Sequence, residues 1–132
     1  MLRHVKARFI EGGRVSGTAF RLRENEAELS FNWMEFDFYR NHTAEEQVAL
    51  IAERYPLRLS RRDQFASLNV GAAKRFVLRE HPAAKAIDFI EDGRADNPSH
   101  CLMKVPEIDD MVGDLLAQCV LQRFPAIVHG IS

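Results

Sequence analysis

The sequence is poor in the features that would name a chemistry at once. Its two cysteines, Cys101 and Cys119, sit among apolar neighbours and form no C-x-x-C pair. A disulfide-built secreted domain of this length carries more, so both read as buried thiols that pack as small hydrophobes. No apolar run reaches the roughly 18 residues that a membrane-spanning helix needs. The opening Met1-Leu2-Arg3-His4-Val5-Lys6-Ala7-Arg8 is charged throughout, unlike a secretory leader. These absences make a cytoplasmic location the expectation, with no membrane partner. An excess of one charge is missing too: 18 Lys and Arg face 19 Asp and Glu, for a formal net charge of -1. That argues against a uniformly basic nucleic-acid binder and against an acidic solubilising tail. There is no phosphate loop, no G-x-G-x-x-G, no H-E-x-x-H and no G-x-S-x-G elbow. The histidines, at 4, 42, 81, 100 and 129, form no short-spaced pair, so neither a metal nor a cofactor is expected. Composition and motifs alone name no activity.

What is there is the material of one domain. The chain has 132 residues, 46% hydrophobic and 28% charged, the balance of an ordinary globular unit. Arg3, Val5, Ala7 and Phe9 alternate with His4, Lys6, Arg8 and Ile10, the period of a strand. Gly12-Gly13 follows as a hairpin turn, and a second strand is predicted over residues 14–22, with Thr18 and Phe20 favouring extended backbone. Ala27, Leu29, Phe31 and Trp33 then alternate with polar residues, so residues 2–34 read as a three-stranded antiparallel meander. Thr43 and Glu46 have the spacing of a capping box, opening a helix whose Val48, Ile51, Ala52 and Tyr55 share a face before Pro56. Leu57 and Leu59 suggest a short extended piece. Ala66, Leu68 and Val70 alternate as a strand, and residues 71–80 read as a short helix stopped by Pro82.

Residues 86–91 and 100–105 read as strands joined by the turn-rich Asp92-Gly93 to Ser99 loop. Ile108, Met111, Val112, Leu115, Leu116, Cys119 and Val120 form a helical stripe. Glu107, Asp109 and Asp110 lie in its first turn, where acids complement the helix dipole. Arg123 and Pro125 mark its end, and the apolar tail beyond is a final strand or a docked extension. The expected fold is a single α+β domain spanning 1–132. Its mostly antiparallel sheet packs against a long helix over 107–123 and one or two shorter helices.

Two constellations invite chemistry. Asn97-Pro98-Ser99-His100-Cys101 places a hydroxyl and a thiol beside an imidazole. On a strand, however, His100 and Cys101 point to opposite faces and cannot bond each other. The plain alternative is a turn in which Asn97 and Ser99 bond the local backbone while His100 sits at a strand edge. The second set is Ser16, Thr18 and Arg21 beside Ser30 and Asn32 on adjacent strands, a set able to hold a phosphate or carboxylate. Its alternative is the wet face of an antiparallel sheet. Trp33, Phe36 and Phe38 offer either a stacking platform or core.

Charge is balanced in total yet segregated. Residues 1–23 carry +5, residues 24–53 carry -7, residues 54–79 carry +6 and residues 80–114 carry -6. Such blocks either neutralise one another across the surface or steer a charged partner. The basic block centres on Arg58, Arg61, Arg62, Lys74, Arg75 and Arg79.

The strings Ser16-Gly17-Thr18-Ala19-Phe20-Arg21, Leu29-Ser30-Phe31-Asn32-Trp33 and Asn97-Pro98-Ser99-His100 together resemble a family of small uncharacterised bacterial proteins, over roughly residues 13–105. The resemblance implies a bacterial, intracellular setting and one compact domain. It brings no established activity, so no catalytic residue is carried over. The functional expectation is a non-catalytic module that docks a protein partner, or a second copy of itself, through its charge patches. Nucleic acid ranks below a protein, because acidic blocks bordering basic ones repel phosphate. The alternative is an enzyme on a nucleotide or other phosphorylated substrate. There Arg21 would anchor the anion, Ser30 and Asn32 would position it, and His100 would serve as general acid or base.

Overall fold

A computed structural model of the chain describes residues 1–21, 29–35, 39, 41–54, 62–82, 87–95, 97–104 and 110–126. The strands are β1 (Leu2–Val5), β2 (Ile10–Glu11), β3 (Arg14–Val15), β4 (Leu29–Asn32), β5 (Gln64–Ser67), β6 (Asp88–Glu91), β7 (His100–Lys104) and β8 (Gln122–Pro125). The helices are α1 (Ala44–Arg54), α2 (Val70–Glu80) and α3 (Asp110–Gln118). Six strands form one sheet in the order β6-β7-β4-β1-β5-β8, antiparallel throughout. The α+β class is as expected. None of the described helices is long and apolar enough to cross a membrane.

The sheet sorts its side chains by parity. Val5, Leu29, Phe31, Ala66, Cys101 and Met103 face one side, where they pack with Ala73 and Val77 of α2 and with Val112, Leu115 and Leu116 of α3. Leu2, Phe65 and Phe124 face the other, under Val48 and Ile51 of α1. Helices therefore cover both faces, where the sequence pattern suggested one. On the first face Phe31 is the hub. Phe89 meets it edge-on at 5.3 Å, Phe20 lies at 6.4 Å, and the Arg3 guanidinium sits 5.7 Å from its ring centre. Arg3 also donates to the carbonyls of Ala19 and Ser30, each at 2.9 Å, so a largely buried cation is satisfied where it stands.

Several local signals form as read. Gly12 and Gly13 both take positive φ, 56° and 74°, the geometry of a two-residue type I′ turn, with Ile10 opposite Val15. The Thr43 N–H donates to Glu46 Oε1 at 3.1 Å, and the Glu46 N–H donates to Thr43 Oγ1 at 3.2 Å, completing the capping box.

Other expectations give way. The hairpin is a separate two-stranded sheet, and β4 pairs with β1 and β7, so the N-terminal meander is absent. The strand expected over 14–22 stops at Val15. The Ser16 hydroxyl accepts the Thr18 N–H at 3.3 Å and starts a 3-10 turn over Gly17–Phe20, a local bond that competes with strand pairing. Val70 opens α2 rather than closing a strand, because Asn69 Oδ1 accepts the Ala72 N–H at 2.9 Å as an N-cap. The last helix ends at Gln118, not Arg123. The Leu121 N–H donates to Ser67 O at 2.9 Å, and Arg123 lies in β8 opposite Ala66. Met111, placed in the helix stripe, is 50% exposed. Readings that rested on Phe36, Phe38, Tyr55, Pro56, Leu57, Leu59, Val105, Glu107, Ile108 or Asp109 lie outside the described residues.

β1 is also shorter than its alternation suggests. Asp63, buried just before β5, accepts the Ala7 N–H at Oδ1 and bonds His4 Nε2 at Oδ2, both at 2.9 Å. That clamp turns the chain into a 3-10 turn over Ala7–Phe9. Burial, the larger influence, pulls His4 below the 6.5 of a free imidazole, and the Asp63 bond opposes it. With the folded-state value lowered, the unfolded chain takes up the proton first. The His4 contribution is then intact above pH 6.5 and falls as pH drops below it. Urea midpoints of the wild type and His4→Gln, compared between about pH 7.5 and 5.5, should converge on the acid side. Parallel curves would mean that another group titrates.

Candidate functional site

Four strands end together near Trp33, and the polar residues of the sheet gather there. Asn32 closes β4 opposite His100, which opens β7. Residues 92–95 and 97–99 fold back over them, with Arg94 and Asn97 exchanging N–H to carbonyl bonds of 3.0 and 3.1 Å. Ser99, buried, donates from Oγ to Asn32 Oδ1 at 2.9 Å. A serine has one proton to give, so the Tyr39 hydroxyl, 3.1 Å away, is the donor to Ser99. His100, 1% exposed, directs Nδ1 to the Asp92 carboxylate at 3.0 Å. An ionised carboxylate only accepts, so Nδ1 carries the hydrogen. Arg94 Nε bonds the same Asp92 oxygen at 3.2 Å.

This arrangement keeps the serine and the histidine apart. The Ser99 hydroxyl is engaged by Asn32 and Tyr39, not by His100, so no nucleophile–base pair forms. Cys101 lies on the other sheet face, opposite Phe31 and Glu91, as the alternation implied. Burial, and then the Glu91 charge, push its thiol up to about 11, which leaves almost no thiolate to attack anything. His100 itself is buried in an inner strand rather than placed at a sheet edge.

Beside this network lies a cleft of about 350 Å³, lined by Trp33, Glu35, Glu91, Pro98, His100 and Cys101 among others. A neighbouring cleft of about 760 Å³ shares Trp33 and Glu35 and extends to Asn69 and Lys74 at the start of α2. Among the described residues, no group of three or more His, Cys, Asp or Glu is arranged to hold a metal.

The second predicted constellation divides. Parity puts Ser30, Asn32 and His100 on one face of the sheet. Arg21 ends the 3-10 turn on the opposite face and reaches Asp114 of α3 at 3.5 Å. The two strands expected to bring Arg21 beside Ser30 and Asn32 do not exist as such, because Ser16 diverts the first into a turn. Of the basic block, Arg62 is exposed in the turn before β5, and Lys74, Arg75 and Arg79 are exposed on α2. Arg58 and Arg61 lie outside the described residues.

The chain matches no family model, no curated protein and no solved structure.

Sequence reasoning missed the Asp92–His100 bond and the Tyr39–Ser99–Asn32 chain. The first spans eight positions and the second 60 and 67. Only the Asn97-Pro98-Ser99-His100 string hinted at either.

Proposed function

We propose that the protein is a non-catalytic interaction module of the bacterial cytoplasm, docking an acidic protein partner through the outer face of α2. One observation carries this reading. Leu78 is 56% exposed on that helix, and the helical period sets Lys74 and Arg75, both exposed, one turn before it, while the exposed Arg79 beside it in sequence pairs with Glu80 at 3.0 Å. Arg79 also lies over the half-buried Phe76 ring, 5.4 Å from its centre. An apolar side chain flanked by cations suits a partner with a complementary hydrophobic residue beside carboxylates. The bacterial setting rests on the family resemblance. The enzymatic alternative draws no support from the placement of its residues, since Arg21 and His100 lie on opposite faces of the sheet.

The test starts from the partner captured by the wild-type protein in its native cell. Reversing charge with Arg75→Glu and Arg79→Glu should slow association by about tenfold or more, because charged patches act chiefly on encounter. Added salt should slow the wild type towards the variant, since screening shortens to about 8 Å at physiological ionic strength. A variant that keeps its circular dichroism, its partner and its association rate would leave α2 an ordinary solvated face.

A further inference from the structure

We propose that the outer edge of β6, with the Trp33 cleft beyond its end, is a second docking site, which takes an extended basic segment of a protein partner as an added strand. It is independent of the α2 reading and opposite to it in charge.

The backbone argument comes first. β6 is the outermost strand on its side of the sheet. The Asp92 N–H donates to His100 O at 2.9 Å, so in antiparallel alternation Ile90 and Asp88 also turn their N–H and C=O towards β7. Phe89 and Glu91 must then turn theirs outward. The next ladder agrees: the Trp33 N–H donates to Ser99 O at 2.8 Å, which gives Cys101 and Met103 to β4 and leaves His100, Leu102 and Lys104 to β6. Among the described residues, no strand pairs with that edge. Its register with β7 runs unbroken from Asp88 to Glu91, without proline, lysine or bulge, the usual devices that blunt an edge. The opposite edge strand, β8, ends in Pro125, which has no N–H to offer.

Charge selects the occupant. Asp88 and Glu91 are exposed at the two ends of the strand. Lys74 approaches Asp88 only to 4.0 Å, and no cation pairs with Glu91 among the described residues. A second copy of this chain, paired antiparallel about Ile90 so that the outward Phe89 meets the outward Glu91, would set Asp88 against Asp92 twice, and like charges directly opposite are unfavourable. A basic strand meets the reverse situation. Its residue opposite Glu91 falls on the sheet face of Glu91 and Cys101, which line the cleft with Trp33 and Glu35. Carboxylates beside an indole ring are a receptive place for Lys or Arg. Its residue opposite Ile90 falls on the other face, against a side chain that is 39% exposed. The sequence preference is therefore cation, apolar, variable, cation.

The probe is a capped peptide containing Lys-Val-Thr-Lys, titrated into the isotopically labelled full chain and followed by amide NMR. The N–H groups of Phe89 and Glu91 should shift most and exchange more slowly, while a Glu-Val-Thr-Glu peptide leaves them unmoved. Glu91→Pro removes one outward N–H together with the carboxylate, without touching the β7 ladder, and should weaken the Lys peptide about tenfold, with Glu91→Gln, which removes the charge alone, intermediate. The Arg75→Glu, Arg79→Glu variant should bind it as the wild type does, which separates this site from the α2 reading. No shift at Phe89 and Glu91, equal binding of both peptides, or dimerisation through β6 seen by sedimentation would each overturn the proposal.

Discussion

Truncating Leu116 to alanine is expected to destabilise the protein by about 2–5 kcal/mol, a large share of the roughly 5–15 kcal/mol that holds a domain folded. The side chain is fully buried, packed from α3 onto the sheet face that carries Leu29, Phe31 and Met103. Removing it loses the transfer energy of the missing methyl groups and leaves a cavity that rigid strands close only in part. The loss matters more because α3 is nine residues long, too short to be helical alone in water. Its existence depends on burying Val112, Leu115 and Leu116, each contributing about 1.5–3 kcal/mol when fully covered. Met111 is the control on the same helix. Half exposed, it should cost within about 0.5 kcal/mol when cut to alanine. The measurement is the urea midpoint at constant slope. A Leu116→Ala midpoint no lower than that of Met111→Ala would take the stripe out of the core.

That stripe shows how far local pattern carries. Val112, Leu115 and Leu116 were legible because a 3.6-residue period and burial coincide there. The same period continues through Cys119 and Val120 to Arg123, and it misleads, because the Leu121 N–H reaches Ser67 O on β5 and the chain leaves the helix to become a sheet edge. No residue near 121 announces a partner more than 50 positions away. Ser16 is the opposite case. Its hydroxyl turns the chain at Thr18 through a bond two residues long, a signal present in the sequence but outweighed in the reading by the strand preference of Thr18 and Phe20. The candidate sites follow the same division. The basic stretch of α2 could be listed from the sequence, yet its apolar centre at Leu78 appears only once the helix faces are assigned. Lys74 and Asp88 belong to blocks of opposite sign along the chain, and the fold brings them to 4.0 Å. Segregation in sequence thus becomes adjacency on the surface. The Glu35–Trp33–Glu91 cleft joins three elements and has no local signature.

Gly17→Ala is expected to destabilise by about 1–3 kcal/mol or more, and Gly113→Ala to destabilise as well, although alanine favours a helix over glycine by about 1 kcal/mol. The reason is the approach of α3 to the 3-10 turn that Ser16 starts. A methyl group on Gly113 would stand 2.8 Å from the Gly17 carbonyl oxygen and 3.2 Å from Arg21 Cγ. One on Gly17 would stand 2.9 Å from both the backbone N and Cα of Asp114, besides meeting its carboxylate. Neither glycine needs its conformational freedom here, since neither has positive φ. What each supplies is the missing Cβ, and the obstacle is backbone, which cannot swing aside as a side chain can. Relief requires α3 to lift away from the sheet, and that withdraws Val112 and Leu116 from Phe20 and its neighbours in the core. The two substitutions strain the same gap, so they should not add. Once the first has displaced the helix, the second finds part of the space already open. The double variant should therefore cost less than the sum of the singles. A Gly113→Ala protein that is instead more stable by the full helix-propensity difference would show that α3 and the turn do not touch, and Arg21 would lose the reason for its place beside Asp114.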